Sequence, residues 1–299
     1  MKALVSGLLN VETTISVKGF PIHYYPIDYP FFGINSNVSG VGFNIAKALT
    51  TLGDDISLFS FLGKDNEARR ILEQLNNDHI KTDHIDQCLI NTPVSAVLYD
   101  CDGKRQIYCD LKNIQEQSIE PDNVEEDLRS CDIAVLCNIN FNRHLIRSAK
   151  RLGVLTATDV HVLSDINDEY NRDFMENADI LFLSNENLPC CAEDFIRQIN
   201  NRYHNKIIVI GMGAEGAILF DCEKNEISRI PAYSIGKIVN TIGAGDALFS
   251  AFLHFYAKGL DAKSALQRAV IFAGIKIGYN GASVGFCKEQ DIDEILKKA

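Results

Sequence analysis

A chain of 299 residues, 46% of them hydrophobic, can bury a sizeable core as one large α/β domain or as two smaller ones. Its 40 acidic and 29 basic residues give a formal charge of −11, which argues against a nucleic-acid or anionic-membrane surface. No apolar run approaches a membrane span, and the apolar stretch in Met1–Gly7 is too short for a secretory leader. A cytoplasmic protein with neither nucleic-acid nor membrane partners is expected.

In chain order, Met1–Gly7 reads as a first strand. Residues 11–37 contain Pro21, Pro26, Pro30 and several aromatics without a helical period. The run Ser39–Asn44 opens a helix whose face carries Ile45, Ala48, Leu49 and Leu52, stopped by Gly53. A strand over Ile56–Leu62 follows, then a helix after Asp65 with Ala68, Ile71, Leu72 and Leu75 on one face. Val94–Tyr99 and Gln106–Tyr108 read as a hairpin turning at Asp102-Gly103. Further on, the strand Ile133–Cys137 precedes a helix with Leu145, Ile146, Ala149 and Leu152, ending at Gly153. Val154–Ala157, Ile180–Leu183 and Ile207–Ile210 complete the strands that are apolar on both faces. Such strands, alternating with helices, predict a mostly parallel sheet covered on both sides. Ligands of such sheets bind beyond the carboxyl ends of the strands, where Asp159, Asn185 and a turn at Gly243 would fall.

The nine cysteines are odd in number and lack zinc spacing, so a reducing compartment is expected. Cys131, Cys137 and Cys222 border strand-like runs and read as small buried hydrophobes. His161, in Asp159-Val160-His161, reads as a structural histidine bonded to a partner.

The most informative run is Val239-Asn240-Thr241-Ile242-Gly243-Ala244-Gly245-Asp246, followed by the almost wholly apolar Ala247–Leu253. Small residues in a turn that opens a helix leave backbone N–H groups aimed one way, at the positive end of the helix dipole: an anion site. A carboxylate at Asp246 would repel an anion unless it serves as a base for a hydroxyl that attacks phosphorus. Gly211–Gly216 satisfies the dinucleotide pattern but is followed by a strand-like run, Ala217–Asp221, so it fails the strand–helix test; there is no P-loop.

The run at Thr241 and Gly243–Asp246 resembles the second signature of the ribokinase-like (PfkB) carbohydrate kinase family, departing at Asn240, where the family usually has Asp. Gly7-x-x-Asn10-x-Glu12 resembles the family's Gly-x-x-Asn-x-Asp, and Ser39-Gly40-x-x-x-Asn44 its Gly-Gly-x-x-x-Asn. Both motifs bind acceptor hydroxyls in the family. Asn185 matches the first position of an Asn-x-x-Glu motif that organises Mg²⁺. Its fourth position here is Leu188, leaving Glu186 as the metal-side carboxylate, acting through water. The segment Val209–Leu219 resembles a strand–turn–strand beside the nucleotide, with Gly211 where many members have Thr. Near Asn140, where sugar kinases often carry Glu, this chain has Asn138, Asn140 and Asn142.

The resemblance implies a three-layer αβα ribokinase-like fold. Residues 1–299 would form one domain with a small β-lid from about 11–37 and 93–112, which keeps ATP from water until the acceptor is in place. It implies an ATP-dependent kinase acting on a hydroxymethyl group of a neutral sugar or related polyol. Asp246 would be the base, and the Gly243, Ala244 and Gly245 amides would stabilise the transferring phosphoryl oxygens. Asn10, Glu12, Gly40 and Asn44 are assigned to the acceptor, and Asn185, Gly213, Gly216 and Thr241 to the nucleotide. Mg²⁺ would arrive with ATP. K⁺, which the Asp at the position of Asn240 helps bind in many relatives, would matter less here.

Two alternatives stand beside this reading. One is a nucleoside kinase whose lid aromatics (Phe20, Tyr24, Tyr25, Tyr29, Phe31, Phe32) stack a base. The other is a non-catalytic ligand-binding or regulatory relative, which the departures at Asn240, Leu188 and Ser39 would favour. The same aromatics could instead bury a lid–lid contact of a homodimer.

Overall fold

The computed structural model describes residues 1–233, 236 and 238–298. From β1 (Lys2–Ser6) the chain enters the lid strands β2 (Asn10–Ser16) and β3 (Ile34–Ser39). It then runs through α1 (Val41–Leu52), β4 (Asp55–Phe61), α2 (Asn66–Asn77) and the short β5 (Ile85–Asp86). A second visit to the lid supplies β6 (Val94–Tyr99) and β7 (Arg105–Asp110). The central alternation continues with α3 (Glu125–Ser130), β8 (Ile133–Leu136), α4 (Arg143–Arg151), β9 (Leu155–Val162), α5 (Arg172–Asn177) and β10 (Ile180–Ser184). After α6 (Ala192–Tyr203) come β11 (Ile207–Gly211), β12 (Ala217–Asp221) and β13 (Glu226–Ile230). The chain closes with α7 (Ala244–Ala257), α8 (Ala262–Lys276) and α9 (Glu289–Lys298).

The large sheet has the order β13-β12-β11-β10-β9-β8-β1-β4-β5. Pairing is parallel from β5 to β11 and antiparallel across β12 and β13. Its central strands are apolar on both faces because both faces are covered: every residue of β8 is buried, as are Leu4 and Val5 of β1. One layer is built from α1, α7 and α8, which pack on one another and on the sheet; α3, α4, α5 and α6 form the other. Helix α2 begins at Asp65, whose carboxylate accepts from the Ala68 N–H at 2.9 Å and satisfies one of the unpaired donors of the first turn.

Strand β9 outruns its apolar core at Val154–Ala157, because two hydroxyls satisfy themselves inside the sheet. Thr158 Oγ1 donates to the Leu136 carbonyl at 2.7 Å and Thr156 Oγ1 to that of Asn177 at 2.7 Å. The strand thereby carries Asp159 and His161 to the carboxyl rim. There its register with β10 shifts between Phe182 and Ser184, and His161 adopts a φ of 60°.

The second sheet, ordered β3-β2-β6-β7, pairs β2 with β6 in parallel and the other neighbours antiparallel. Asp102-Gly103 does turn the β6–β7 hairpin, with Gly103 at a φ of 82°. All nine cysteines are unpaired. Cys137 is buried, but Cys222 is exposed: it is the first residue past β12, in the turn closed by the Asn225 N–H on its carbonyl, and not a core residue.

Candidate active site

The site is organised by the start of α7. This helix is apolar nearly all round and is locked onto β10 by Phe249 and Phe252, whose rings lie 4.9 and 5.2 Å from that of Phe182. Its first turn is therefore held rigidly at the carboxyl edge of the sheet. Gly243 caps it in the left-handed region at a φ of 76°, and a Cβ there would overlap the Ala282 carbonyl, so glycine is the residue that fits. No side chain caps the helix. The Ala244 N–H donates to the Thr241 carbonyl at 3.2 Å. The donors that the helix start leaves without an intrahelical acceptor are thus chiefly those of Gly245 and Asp246, a narrower set than the motif alone implies.

Asp246, in that first turn, accepts a hydrogen bond from Asn44 Nδ2 at 2.7 Å. Asn44 sits in the first turn of α1, which starts where Gly40, at a φ of 104°, lies against the Leu8 carbonyl and the Gly42 N–H donates to that same carbonyl at 3.0 Å. This close approach ties α1 to the end of β1. Burial raises the pKa of Asp246 above the ordinary aspartate value, and Asp159 adds to the rise. His161, the Asn44 hydrogen bond and Lys276 oppose it.

Glu12 and Asn10 lie on β2, opposite Asn37 and Ser39 of β3. Burial first, then the charge of Asp246, raises the pKa of Glu12. A hydrogen bond from Ser39, Lys276 and Arg105 pull it down. Ser39 therefore has work of its own: it donates to the carboxylate. Asn10 Nδ2 donates to Ser95 Oγ at 3.0 Å. The carbonyl oxygens of both Asn10 and Asn44 are buried without a hydrogen-bond partner. Such acceptors are costly unless water or a ligand supplies donors.

Lys276, which no motif picks out, ends α8 with 0% of its surface exposed. Its ammonium donates to the Ile242 carbonyl, directly before Gly243. Its only signal in the sequence is a single cation in the run Val270–Ile277. Asn240 is also committed: its Oδ1 accepts from the Ile242 N–H at 2.7 Å and its Nδ2 donates to Asn280 Oδ1 at 3.0 Å. Arg105, exposed on the lid, is a second cation within electrostatic reach of Glu12. The backbone N–H of His161 donates to Asp159 Oδ1 at 2.8 Å, while its imidazole lies 3.7 Å from Asp159 Oδ2, beyond hydrogen-bond distance, and stands within electrostatic reach of Asp246.

Of the three asparagines near position 140, Asn142 is fully buried and bonds Ser6 and Cys137. Asn138 donates to Asn171, and Asn140 bonds Gln115. All three are held by the protein itself.

Asn185 and Glu186 are exposed just past β10, and the Asn185 N–H donates to the Gly211 carbonyl at 2.9 Å. Leu188 packs against the core. Gly211–Gly216 turns β11 back into the antiparallel β12, which rules out a dinucleotide-type helix there. Thr241 is exposed in the glycine turn. Among the described residues no group of three or more His, Cys, Asp or Glu side chains is placed to hold a metal ion.

The family model for pfkB carbohydrate kinases matches residues 7–288. The chain is 23% identical over 309 aligned residues to the deoxyribokinase of Salmonella typhi, covering 99% of each chain. It is 26% identical over 265 residues to the ribokinase of Lactococcus lactis subsp. lactis, covering 87% of this chain and 85% of that one. The solved structure of the microbiome-derived acarbose kinase Mak1 superposes with a TM-score of 0.86 at 23% identity, over 99% of this chain and 98% of the other, a likeness of fold. The chain belongs to the pfkB family of carbohydrate kinases, enzymes that phosphorylate sugars at the expense of ATP.

Proposed function

We propose that this kinase transfers the γ-phosphoryl group of ATP to a hydroxymethyl group of a neutral, polyhydroxylated sugar or related polyol. The observation that carries the reading is the pair of buried, unpartnered amide oxygens, Asn10 Oδ1 and Asn44 Oδ1, one of them on the residue that holds Asp246. Vicinal hydroxyls donate to such acceptors and to the Glu12 carboxylate. Asp246 takes the proton of the attacking hydroxyl; its raised pKa strengthens it as a base. The N–H groups of the Gly243–Gly245 turn, chiefly that of Gly245 because that of Ala244 is shared with the Thr241 carbonyl, act with the Asp246 N–H to stabilise the charge that develops on the transferring oxygens. Thr241, Asn185, Gly213 and Gly216 line the nucleotide side. A phosphate already on the acceptor would face two carboxylates, Glu12 and Asp246, which favours a neutral substrate.

Mg²⁺ keeps most of its waters and rides on ATP phosphates, so it needs only one or two groups from the protein. Glu186 and Asn185 at the exposed rim suit that role through water, and when bound the ion neutralises phosphate charge. Leu188 supplies nothing to it. The lid exposes Tyr24, Tyr25, Tyr29, Phe31 and Phe32, an apolar surface that a second copy of the chain would cover. The enzyme works as a cytoplasmic homodimer.

The test is ATP consumption across a panel of free sugars, polyols, nucleosides and sugar monophosphates. Turnover confined to free sugars or polyols is expected. Nucleoside-selective turnover would favour a nucleoside kinase. Preference for a sugar monophosphate would sink the neutral-acceptor reading, and no turnover with any member would point to a regulatory relative.

A further inference from the structure

Lys276 is the one lysine or arginine that is buried among the described residues. A buried ammonium is costly unless neighbouring groups compensate it, so its place in the fold asks for a reason. Its hydrogen bond runs to the Ile242 carbonyl, the last carbonyl before the left-handed Gly243. From there the charge acts on Asp246 and Glu12, the two carboxylates of the acceptor side. Rearrangement of the turn is opposed from the other side too. Asn240 grips the Ile242 N–H and Asn280, and Val239 and Asn240 both donate their N–H groups to the Ile277 carbonyl, at 2.9 and 3.1 Å.

These residues do not suit a monovalent metal ion. Such an ion binds through several carbonyl or carboxylate oxygens. Here an ammonium already holds the Ile242 carbonyl, and Asn240, a neutral residue, uses its one side-chain oxygen to accept an N–H.

We propose that the Lys276 ammonium is the built-in cation of the phosphoryl-transfer site: it fixes the Ile242 carbonyl behind the glycine turn, so that the turn's N–H groups stay aimed at the phosphoryl oxygens, and it makes the enzyme independent of alkali metal ions. Lys276 touches no reacting atom. It is a positioning residue, acting through Ile242 and Gly243. The inference rests on the kinase reading for its catalytic consequence, but its central claim concerns cation binding by the folded chain and is testable without substrate.

The first experiment measures thermal unfolding of the wild-type protein, without ligands and at constant ionic strength, in tetramethylammonium, Na⁺ and K⁺ chlorides. The midpoint should be the same in all three. A rise specific to K⁺ or Na⁺ would show a metal site and overturn the proposal. The second experiment uses Lys276→Ala, which opens a cavity lined by the Ile242 carbonyl. Its unfolding midpoint should rise with K⁺ or methylammonium, because a cation that binds only the folded state stabilises it. Its kcat should fall on the order of 10²-fold, the cost of losing one aligned oxyanion donor, and recover by about tenfold or more with either cation. A Lys276→Ala protein that keeps wild-type activity and ignores both cations would overturn the proposal. Should that variant fail to fold, Lys276→Met, which fills the space, and the wild-type measurement still decide. If no acceptor is phosphorylated, the unfolding experiments stand and only the kinase reading fails.

Discussion

The Asn44 amide donates to Asp246 Oδ2 at 2.7 Å, although the two residues lie 202 positions apart in the sequence. The bond joins the first turns of α1 and α7, and with them the Ser39–Asn44 run and the glycine turn. It holds the carboxylate in place and leaves Asn44 Oδ1 buried without a hydrogen-bond partner.

Asp246→Asn keeps this bond, since an amide oxygen accepts as a carboxylate does, but removes the base. Its kcat should fall on the order of 10²–10⁴-fold, while ATP affinity measured by calorimetry stays near that of the wild type. For the wild type, the acid limb of kcat/KM should lie above the usual aspartate range, because burial raises the Asp246 pKa. Near-normal turnover in the variant would remove Asp246 from the mechanism.

Two glycines of the turn separate architecture from ligand approach. Gly243→Ala places a Cβ against the Ala282 carbonyl at a φ of 76° and should lower the unfolding temperature. Gly245 has open space where a Cβ would stand. Gly245→Ala should therefore unfold as the wild type does, yet lose most of its kcat, because the methyl group occupies the place of the phosphoryl oxygens. Full activity in Gly245→Ala would mean that no phosphate approaches there.

Much of this was legible in the sequence. The doubly covered parallel sheet follows from strands such as Ile133–Leu136 and Ile180–Leu183, apolar throughout and spaced by helices. The glycine turn that opens α7 follows from Gly243–Asp246. What escaped was long-range pairing that periodicity does not encode. Lys276 looks like the end of an apolar helix until the fold lays it beside Ile242, and Ser39 looks like a lost glycine until β3 pairs with β2 and brings it to Glu12. The extension of β9 escaped because Thr158 and Asp159 end the apolar run, although the Thr158 hydroxyl is satisfied within the sheet.

Gly211 offers a gain rather than a loss. A Cβ there would meet nothing closer than 3.8 Å, so a β-carbon is accommodated without a clash. The resemblance puts Thr at this position beside the nucleotide, and a hydroxyl would add one hydrogen bond, worth about 0.5–1.5 kcal/mol. Gly211→Thr should lower the KM for ATP several-fold without changing that for the acceptor. An unchanged or higher ATP KM in a normally folded variant would place the nucleotide away from this turn.

Glu12 carries a stability cost with its function, and pH exposes both. Burial, and then Asp246, raise its folded-state pKa above the ordinary glutamate value. Between the unfolded and folded pKa values the native state binds more protons than the unfolded one, so stability falls as pH rises through that window. Above it, the ionised, buried Glu12 costs stability in full. Glu12→Gln removes the charge and should unfold at a higher temperature than the wild type near neutral pH. The difference should shrink as pH falls through the raised pKa, where Glu12 is protonated anyway. The same change weakens acceptance of acceptor hydroxyls, so the acceptor KM should rise much more than that of ATP. A variant with lower thermal stability at neutral pH, or with its KM effect on ATP, would show that Glu12 is held by structure and not by substrate.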